Sequence, residues 1–301
     1  MMKKNILTLF VLLSAFALNA ENRIALKSNE ATSYTYSNES DISFKKSKSI
    51  VQNQIIKYTL APNFGSSKRS CVLKFNSIQC NKKRKDSTIA LSTEKPKLPL
   101  SYIIKRATDK DIKTPLNTRN LTLDSIIGLD SIYAHLFDDF VKLPDSVNTI
   151  AYKHFIKEEY GNNLVRSLTE NSLSIAPDSA VKEKGTWIKK ANRYGTFISN
   201  SETVYTLKEK KGNTYHINAI NQIDKTKTCR YSIAGVAYLL EDADGQIVSD
   251  IIVDAETGLV KDIKTNINVK AKATPLSFSE TTEESISDDI IISIKQTITK
   301  D

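Results

Sequence analysis

From Leu259 to Lys270 the chain alternates: Leu259, Ile263, Ile267 and Val269 fall on one parity, Asp262, Lys264, Asn266, Asn268 and Lys270 on the other. Successive side chains of a strand point to opposite faces, so this segment reads as a strand with one dry and one wet face. Such a strand needs hydrogen-bonded neighbours and a cover for its apolar face, which points to an antiparallel sheet buried on one side. The flanking sequence repeats the theme. Val204–Leu207 and Tyr215–Ile223 flank Lys211-Gly212-Asn213, a hairpin signal. Tyr231–Leu240 and Ile247–Val253 follow in meander order, and after the link SFSETTEES comes Ile290–Ile298. Residues 31–90 are also read as strands: Tyr34 and Tyr36 alternate with Thr and Ser, and Ile50, Gln54, Ile56, Tyr58 and Leu60 share a parity with Gln52. Pro62, Asn63 and Gly65 end that run.

The period changes mid-chain. Residues 93–118, with Pro96, Pro99 and Pro115, read as a connector holding at most one short helix. Ile126, Leu129, Ile132, Tyr133, Leu136, Phe137, Phe140 and Val141 then recur at spacings of three and four, an amphipathic helix ended by Pro144. A second stripe runs through Val147, Ile150, Ala151, Phe155, Leu164, Val165 and Leu168, capped by Asp145 or Ser146 and broken at Gly161-Asn162. The expected fold is α+β, a curved, largely antiparallel, half-barrel-like sheet with two to three helices inserted mid-chain. Its expected divisions are a signal peptide (1–20), an N-terminal β half (21–92), a linker and helical segment (93–175) and a C-terminal β-meander half (176–301) that forms one composite domain with 21–175.

The signal peptide rests on MMKKNILTLFVLLSAFALNAEN: Lys3 and Lys4 precede a short apolar run, and small residues follow it. Cleavage is expected between Ala20 and Glu21, with Ala17 as the alternative site. No cysteine follows the apolar run, which argues against a lipoprotein, and no later segment is apolar enough to span a bilayer. The expected location is therefore the periplasm or the extracellular face of an envelope, in soluble form. A net charge of +9 bears on solubility and non-specific attraction. The densest basic cluster, Lys82-Lys83-Arg84-Lys85, lacks interleaved aromatics and reads as a solvated loop, so nucleic acid is not an expected partner.

The remaining cysteines are Cys71, Cys80 and Cys229. An oxidising compartment favours pairing. A turn near Phe75-Asn76 would set Cys71 opposite Cys80 in a hairpin, and a disulfide between them is expected, leaving Cys229 a buried thiol.

The acids are the chain's first candidates for chemistry. LLEDADGQIVSDIIVDAETGLVKDI holds seven acidic residues. Setting Gly245 at position 6 of an EF-hand loop puts Leu240 at position 1 and Ile251 at position 12, neither of which is a side-chain ligand. Asp244-Gly245 instead reads as a hairpin turn, and Asp254-Ala255-Glu256-Thr257-Gly258 as a turn held by its own Asp side chain; a weak calcium site around Asp242 and Asp244 is the alternative. His154 and Glu158 are one helical turn apart without a third ligand, so His154 reads as a packed or partner-satisfied histidine; His135 borders the stripe of the first helix, and His216 faces away from Tyr215 and Ile217 toward water. No GxSxG elbow or phosphate-cradling glycine loop occurs. Consecutive acids such as Asp138-Asp139 and Glu158-Glu159 read as solvated helix faces. No catalytic residue, metal ligand or cofactor is assigned, and the balance leans away from an enzyme.

Two strings carry resemblances. APDSAVKEKGTWIKK followed by strands and VDAETGLVKDI is similar to an uncharacterised family of exported Gram-negative envelope proteins with a Pro…Gly-x-Trp…Asp-x-x-Thr-Gly pattern, here Pro177, Gly185, Trp187, Asp254, Thr257 and Gly258. That resemblance implies a layout and a compartment but no reaction. Trp187 is expected to anchor a sheet edge, with ligand stacking as the alternative. The strands–helices–strands plan resembles periplasmic lipoprotein carriers in architecture alone. Asp-Ser followed by a small or apolar residue resembles an O-glycosylation acceptor of exported proteins, at Ser87, Ser125, Ser131, Ser146 and Ser179; helix capping accounts for some of the same pairs. The partners expected are a lipid or other apolar ligand held in a sheet–helix cavity, or another envelope protein.

Overall fold

The computed structural model describes residues 22–46, 49–63, 70–84, 101–107, 111–115, 127, 161–173, 175–189, 202–233, 236–276 and 287–301. The signal peptide and its cleavage site, the first amphipathic helix, and Ser87, Ser125, Ser131, Ser146, His135 and His154 lie outside these residues.

The described strands are β1 (Thr32–Phe44), β2 (Ile50–Asn63), β3 (Ser70–Arg84), β4 (Ser101–Ala107), β5 (Asp111–Pro115), β6 (Thr186–Lys189), β7 (Thr203–Lys211), β8 (Thr214–Gln222), β9 (Cys229–Ile233), β10 (Val236–Asp254), β11 (Val260–Pro275) and β12 (Asp288–Lys300). One helix is described, α1 (Asn162–Leu173), beginning where the Gly161-Asn162 break was expected. All strands join one antiparallel sheet in the order β4-β3-β2-β1-β12-β11-β10-β8-β7-β6, with β5 beside β3 and β9 beside β10. The path does not close into a barrel among the described residues. The pair that joins the N-terminal to the C-terminal strands is β1–β12, in which Tyr34 lies opposite Lys300 and Phe44 opposite Ile290.

Alternation does set the faces. In β11, Ile263, Thr265, Ile267, Val269, Ala271 and Ala273 are buried while Lys264, Asn266, Asn268, Lys270 and Lys272 are exposed. In β1 and β2 the even positions point inward, among them Tyr34, Tyr36, Ile42, Ile50, Ile56, Tyr58 and Leu60. The outer face is knitted by short polar side chains rather than by apolar packing, as in Ser37–Thr297 at 2.7 Å and Ser33–Thr59 at 3.0 Å. α1 lies on the inner face, with Val165, Leu168 and Leu173 packed among strand residues. Burial of side chains of this size stabilises by about 1.5–3 kcal/mol each. Ser172 fastens the helix further, its hydroxyl meeting Tyr58 Oη at 2.9 Å and donating to the Leu168 carbonyl at 2.7 Å.

The structure departs from the sequence reading at several places. β3 runs unbroken through Phe75-Asn76, and the signal read there as a turn is a β-bulge opposite Lys57–Tyr58. Cys71 and Cys80 therefore sit on one strand, opposite Pro62 and Gln54 of β2. Nine residues of extended chain span roughly 30 Å, against the 7 Å that a disulfide tolerates, so the expected bridge does not form. Cys229 opens β9 half-buried, not buried. Asp244-Gly245 is not a hairpin either. β10 passes straight through it, with a bulge between Glu241 and Asp244 and Asp242 at φ 51°. Gly245 is needed for another reason: a Cβ there would collide with the carbonyl oxygen of Asn268 on β11. In the connector at 93–118 the described residues form β4 and β5.

Candidate functional site

Registers across the sheet sort the inner face into transverse rows. One row is apolar from strand to strand: Ile56, Tyr36, Ile298, Ile263, Ile251, Ile217 and Leu207. It belongs to a buried cluster that also takes in α1, Ile24, Ile175 and Val181. The next row is polar. Gln54, Asn38, Gln296, Thr265 and Ser249 stand side by side on β2, β1, β12, β11 and β10, and the same ladder ends in Ala219, Tyr205 and Trp187. Beyond this seam lies a second apolar cluster, including Ile42, Ile50, Tyr231, Leu240, Ile247, Ile267, Val269, Ile290, Ile292 and Ile294. Every residue of that cluster lies on a strand or, for Ile223, directly after one; no described residue of a helix or loop joins it.

Most of the seam satisfies itself. Gln296 Nε2 donates to Asn38 Oδ1 at 3.2 Å, and the Ser249 and Thr265 hydroxyls meet at 2.8 Å. One strand step away, Asn221 Nδ2 donates to Thr203 Oγ1 at 2.9 Å. Gln54 differs. Its side chain is 4% exposed and Nε2 has no hydrogen-bond partner. Tyr34 Oη, in the first cluster, is also buried without a partner, its ring stacked on Tyr58 at 5.5 Å. Burial pushes the Tyr34 phenol well above its ordinary range, with Cys71 adding to the shift. At the far edge, Lys189 pairs across β6–β7 with Thr203, and burial draws its amine below the usual lysine range against the pull of Asp178.

The residues singled out by motif gather elsewhere, along the N-terminal segment. Trp187 Nε1 donates to the Ile175 carbonyl at 3.1 Å and its ring stacks on Tyr205 with centroids 5.4 Å apart, which anchors the short edge strand β6. Gly185 leaves no room for a Cβ against Lys182 and Val181, and Pro177 is half-buried nearby. Val181 in turn pairs with Asn22 through two backbone hydrogen bonds. Asp254 closes the β10–β11 turn by accepting from the Thr257 N–H at 2.9 Å, the Glu256 N–H at 3.0 Å and the Thr257 hydroxyl at 3.0 Å, with Lys261 at 2.9 Å. Desolvation would raise its pKa; those donors and Lys261 outweigh it and bring the carboxyl down to about 2. Lys27 N donates to the Thr257 carbonyl, so Asn22–Lys27 is held at both ends by motif loops.

The acids of the 239–263 stretch do not converge. Asp244 pairs with Lys225, Asp250 accepts from Asn218, and Asp262 accepts from Thr299. Among the described residues no three His, Cys, Asp or Glu side chains come together as metal ligands would. His216 is half-buried and 3.3 Å from the Thr214 hydroxyl. Ser179 and Asp178 are exposed in the loop before Val181. Also among the described residues, no helix is long and apolar enough to cross a membrane. The polar seam is not visible in the sequence, where Gln54 simply falls on the apolar parity of β2. A polar residue on a core parity is its only local signal, and the alignment of five such residues exists only through register.

No curated protein matches the chain. A solved structure entitled "Lipid-protein interactions in lipovitellin" aligns with 92% of this chain at 10% identity and a TM-score of 0.49. The chain spans 25% of that chain's length. At that identity and score the likeness carries no conclusion. A family described as being of unknown function, DUF6263, matches residues 66–260, which include Pro177, Gly185, Trp187, Asp254, Thr257 and Gly258. That match covers about two thirds of the sequence, and the chain therefore belongs to the DUF6263 family of unknown function.

Proposed function

We propose that this is an exported, non-catalytic envelope protein that holds an apolar ligand, such as acyl chains, against the inner face of its sheet. Export rests on the basic and apolar N-terminal leader. The observation that carries the binding role is the second apolar cluster, a buried, strand-built layer to which no described helix or loop contributes. The residues of this cluster are buried within the chain, so a ligand would bind by entering between this apolar layer and its cover, a step that the hydrophobic effect favours for an alkyl chain. Native mass spectrometry of the mature protein purified from its own envelope tests the reading. Co-purifying lipid, lost on solvent extraction and regained on adding a fatty acid, supports it. A protein that is empty as purified and takes up no fatty acid overturns it.

A partner-binding role is the second reading, and a different face favours it. Ile188, Val204 and Ile220 are 57%, 42% and 38% exposed and lie directly opposite one another across β6, β7 and β8 on the outer face. A photo-crosslinker at Val204 in whole cells tests this role; adducts at that position support it, and a position that stays unmodified removes it.

A further inference from the structure

The segment Asn22–Lys27 belongs to no strand of the sheet, yet its backbone is fixed at both ends. Asn22 pairs with Val181 in an isolated antiparallel bridge through N–H···O bonds of 2.8 and 2.9 Å, and Lys27 N donates to the Thr257 carbonyl at 2.8 Å. Between these ends Ile24 is buried in the cluster that α1 joins, and Leu26 packs against the same cluster. The carbonyl of Ala25 lies so close to Gly258 that a Cβ there would collide with it. Arg23 and Lys27 are exposed, and so are Asn29–Ala31, which lead into β1. Two loops wall this segment in. In one, Gly185 leaves no room for a Cβ against the Val181 side chain and the Lys182 carbonyl. In the other, Asp254 accepts from the Glu256 and Thr257 N–H groups and so fixes the turn whose Thr257 carbonyl receives Lys27.

Main-chain hydrogen bonds for affinity and alternate side chains for specificity are how a protein holds an extended peptide. We propose that the cleft between residues 181–185 and 254–258 is a peptide-docking site, which recognises an apolar–small–apolar triplet and holds the chain's own Ile24-Ala25-Leu26 as a separable occupant. Among the described residues, the backbone of the segment is bonded to the rest of the fold at its two ends only. It can leave without breaking any pairing between the strands of the sheet. The space a guest peptide would fill is the space this segment fills. The site is independent of the apolar-ligand reading, which concerns the other cluster.

Ile24→Asp in the chain 21–301 loosens the resident segment and leaves both walls unchanged. The probe is a fluorescent peptide of residues 21–28, and the control is the same peptide carrying Ile24→Asp. Fluorescence anisotropy is expected to show the variant protein binding the probe about tenfold more tightly than the wild-type protein does, because the resident no longer competes. The variant should also bind the probe about tenfold more tightly than the control. A photo-crosslinker at Ala25 of the probe is expected to label the fragment that holds Gly258. Lys27→Pro, which removes the N–H that the Thr257 carbonyl accepts from, repeats the measurement should the aspartate variant fold poorly. A folded variant that binds neither peptide, or both alike, overturns the proposal, as do equal affinities of wild type and variant or adducts confined to other parts of the chain. Loss of cooperative unfolding in both variants would make the segment an integral part of the fold and overturn it as well.

Discussion

Gly258 and Gly212 both occupy left-handed backbone, at φ 73° and 56°, yet their surroundings differ. A Cβ on Gly258 would run into the carbonyl of Ala25 in the N-terminal segment, whereas one on Gly212 would meet open space. Gly212→Ala should therefore cost about 1 kcal/mol of left-handed strain. Gly258→Ala should cost about 2–4 kcal/mol, because strain and collision act together. Paired thermal unfolding of the two variants checks this, and equal melting temperatures would contradict the packing of Ala25 on the turn. Asp254, in the same turn, has its pKa lowered from 3.8 to about 2. A carboxyl depressed on folding adds stability that is present above its unfolded pKa and is lost as pH falls through the folded one. Wild type should thus exceed Asp254→Asn in stability at pH 6, with the gap closing between pH about 4 and about 2. Urea unfolding across that range measures it; a constant gap would mean that the carboxylate charge does not hold the turn.

Elements were legible where one face of a strand is uniformly dry. The parity of Ile263, Ile267 and Val269 gave β11, the alternation of Tyr34 and Tyr36 gave β1, and the Gly161-Asn162 break gave the start of α1. Turn chemistry misled where a bulge uses the same residues as a hairpin. Asp244-Gly245 and Phe75-Asn76 both punctuate a strand without ending it, because partners on each side already hold β10 and β3 in line. Local sequence does not contain those partners. The seam was illegible for the same reason: Gln54, Asn38, Gln296, Thr265 and Ser249 are scattered over five strands and become neighbours only through register. The course of β3 makes a direct prediction. With Cys71 and Cys80 on one strand, a reducing agent should leave the melting temperature unchanged. Alkylation of the unfolded chain without reduction should label both cysteines of a peptide that spans them, since Cys71 is buried in the fold. Recovery of that peptide as a disulfide would show that the chain turns between them after all.

At the scale of the whole molecule, β12 is the strand that joins the two groups of strands. β12 lies between β1 and β11, mid-sheet, and no other described strand pair links the N-terminal strands β1–β5 to the C-terminal strands β6–β11. Contacts such as Tyr34–Lys300 and Asp288 with the Lys46 N–H at 3.0 Å join residues far apart in sequence, an arrangement that folds slowly because long loops must close first. β12 also places Ile290, Ile292, Ile294 and Ile298 in the two apolar clusters. Losing large buried side chains costs about 2–5 kcal/mol apiece, which for four of them rivals the 5–15 kcal/mol of net stability typical of a folded domain. A chain truncated before Ser287 is therefore expected to show no cooperative thermal transition. Both new edges, on β1 and on β11, would be long, unpaired and apolar on one face, so the truncated chain should also aggregate. A peptide of residues 287–301 added in trans during refolding should restore the transition by supplying the missing strand to those edges. Cooperative unfolding of the truncated chain without that peptide would mean that the two groups of strands hold together by other contacts, and that β12 is a lining rather than the joint of the sheet.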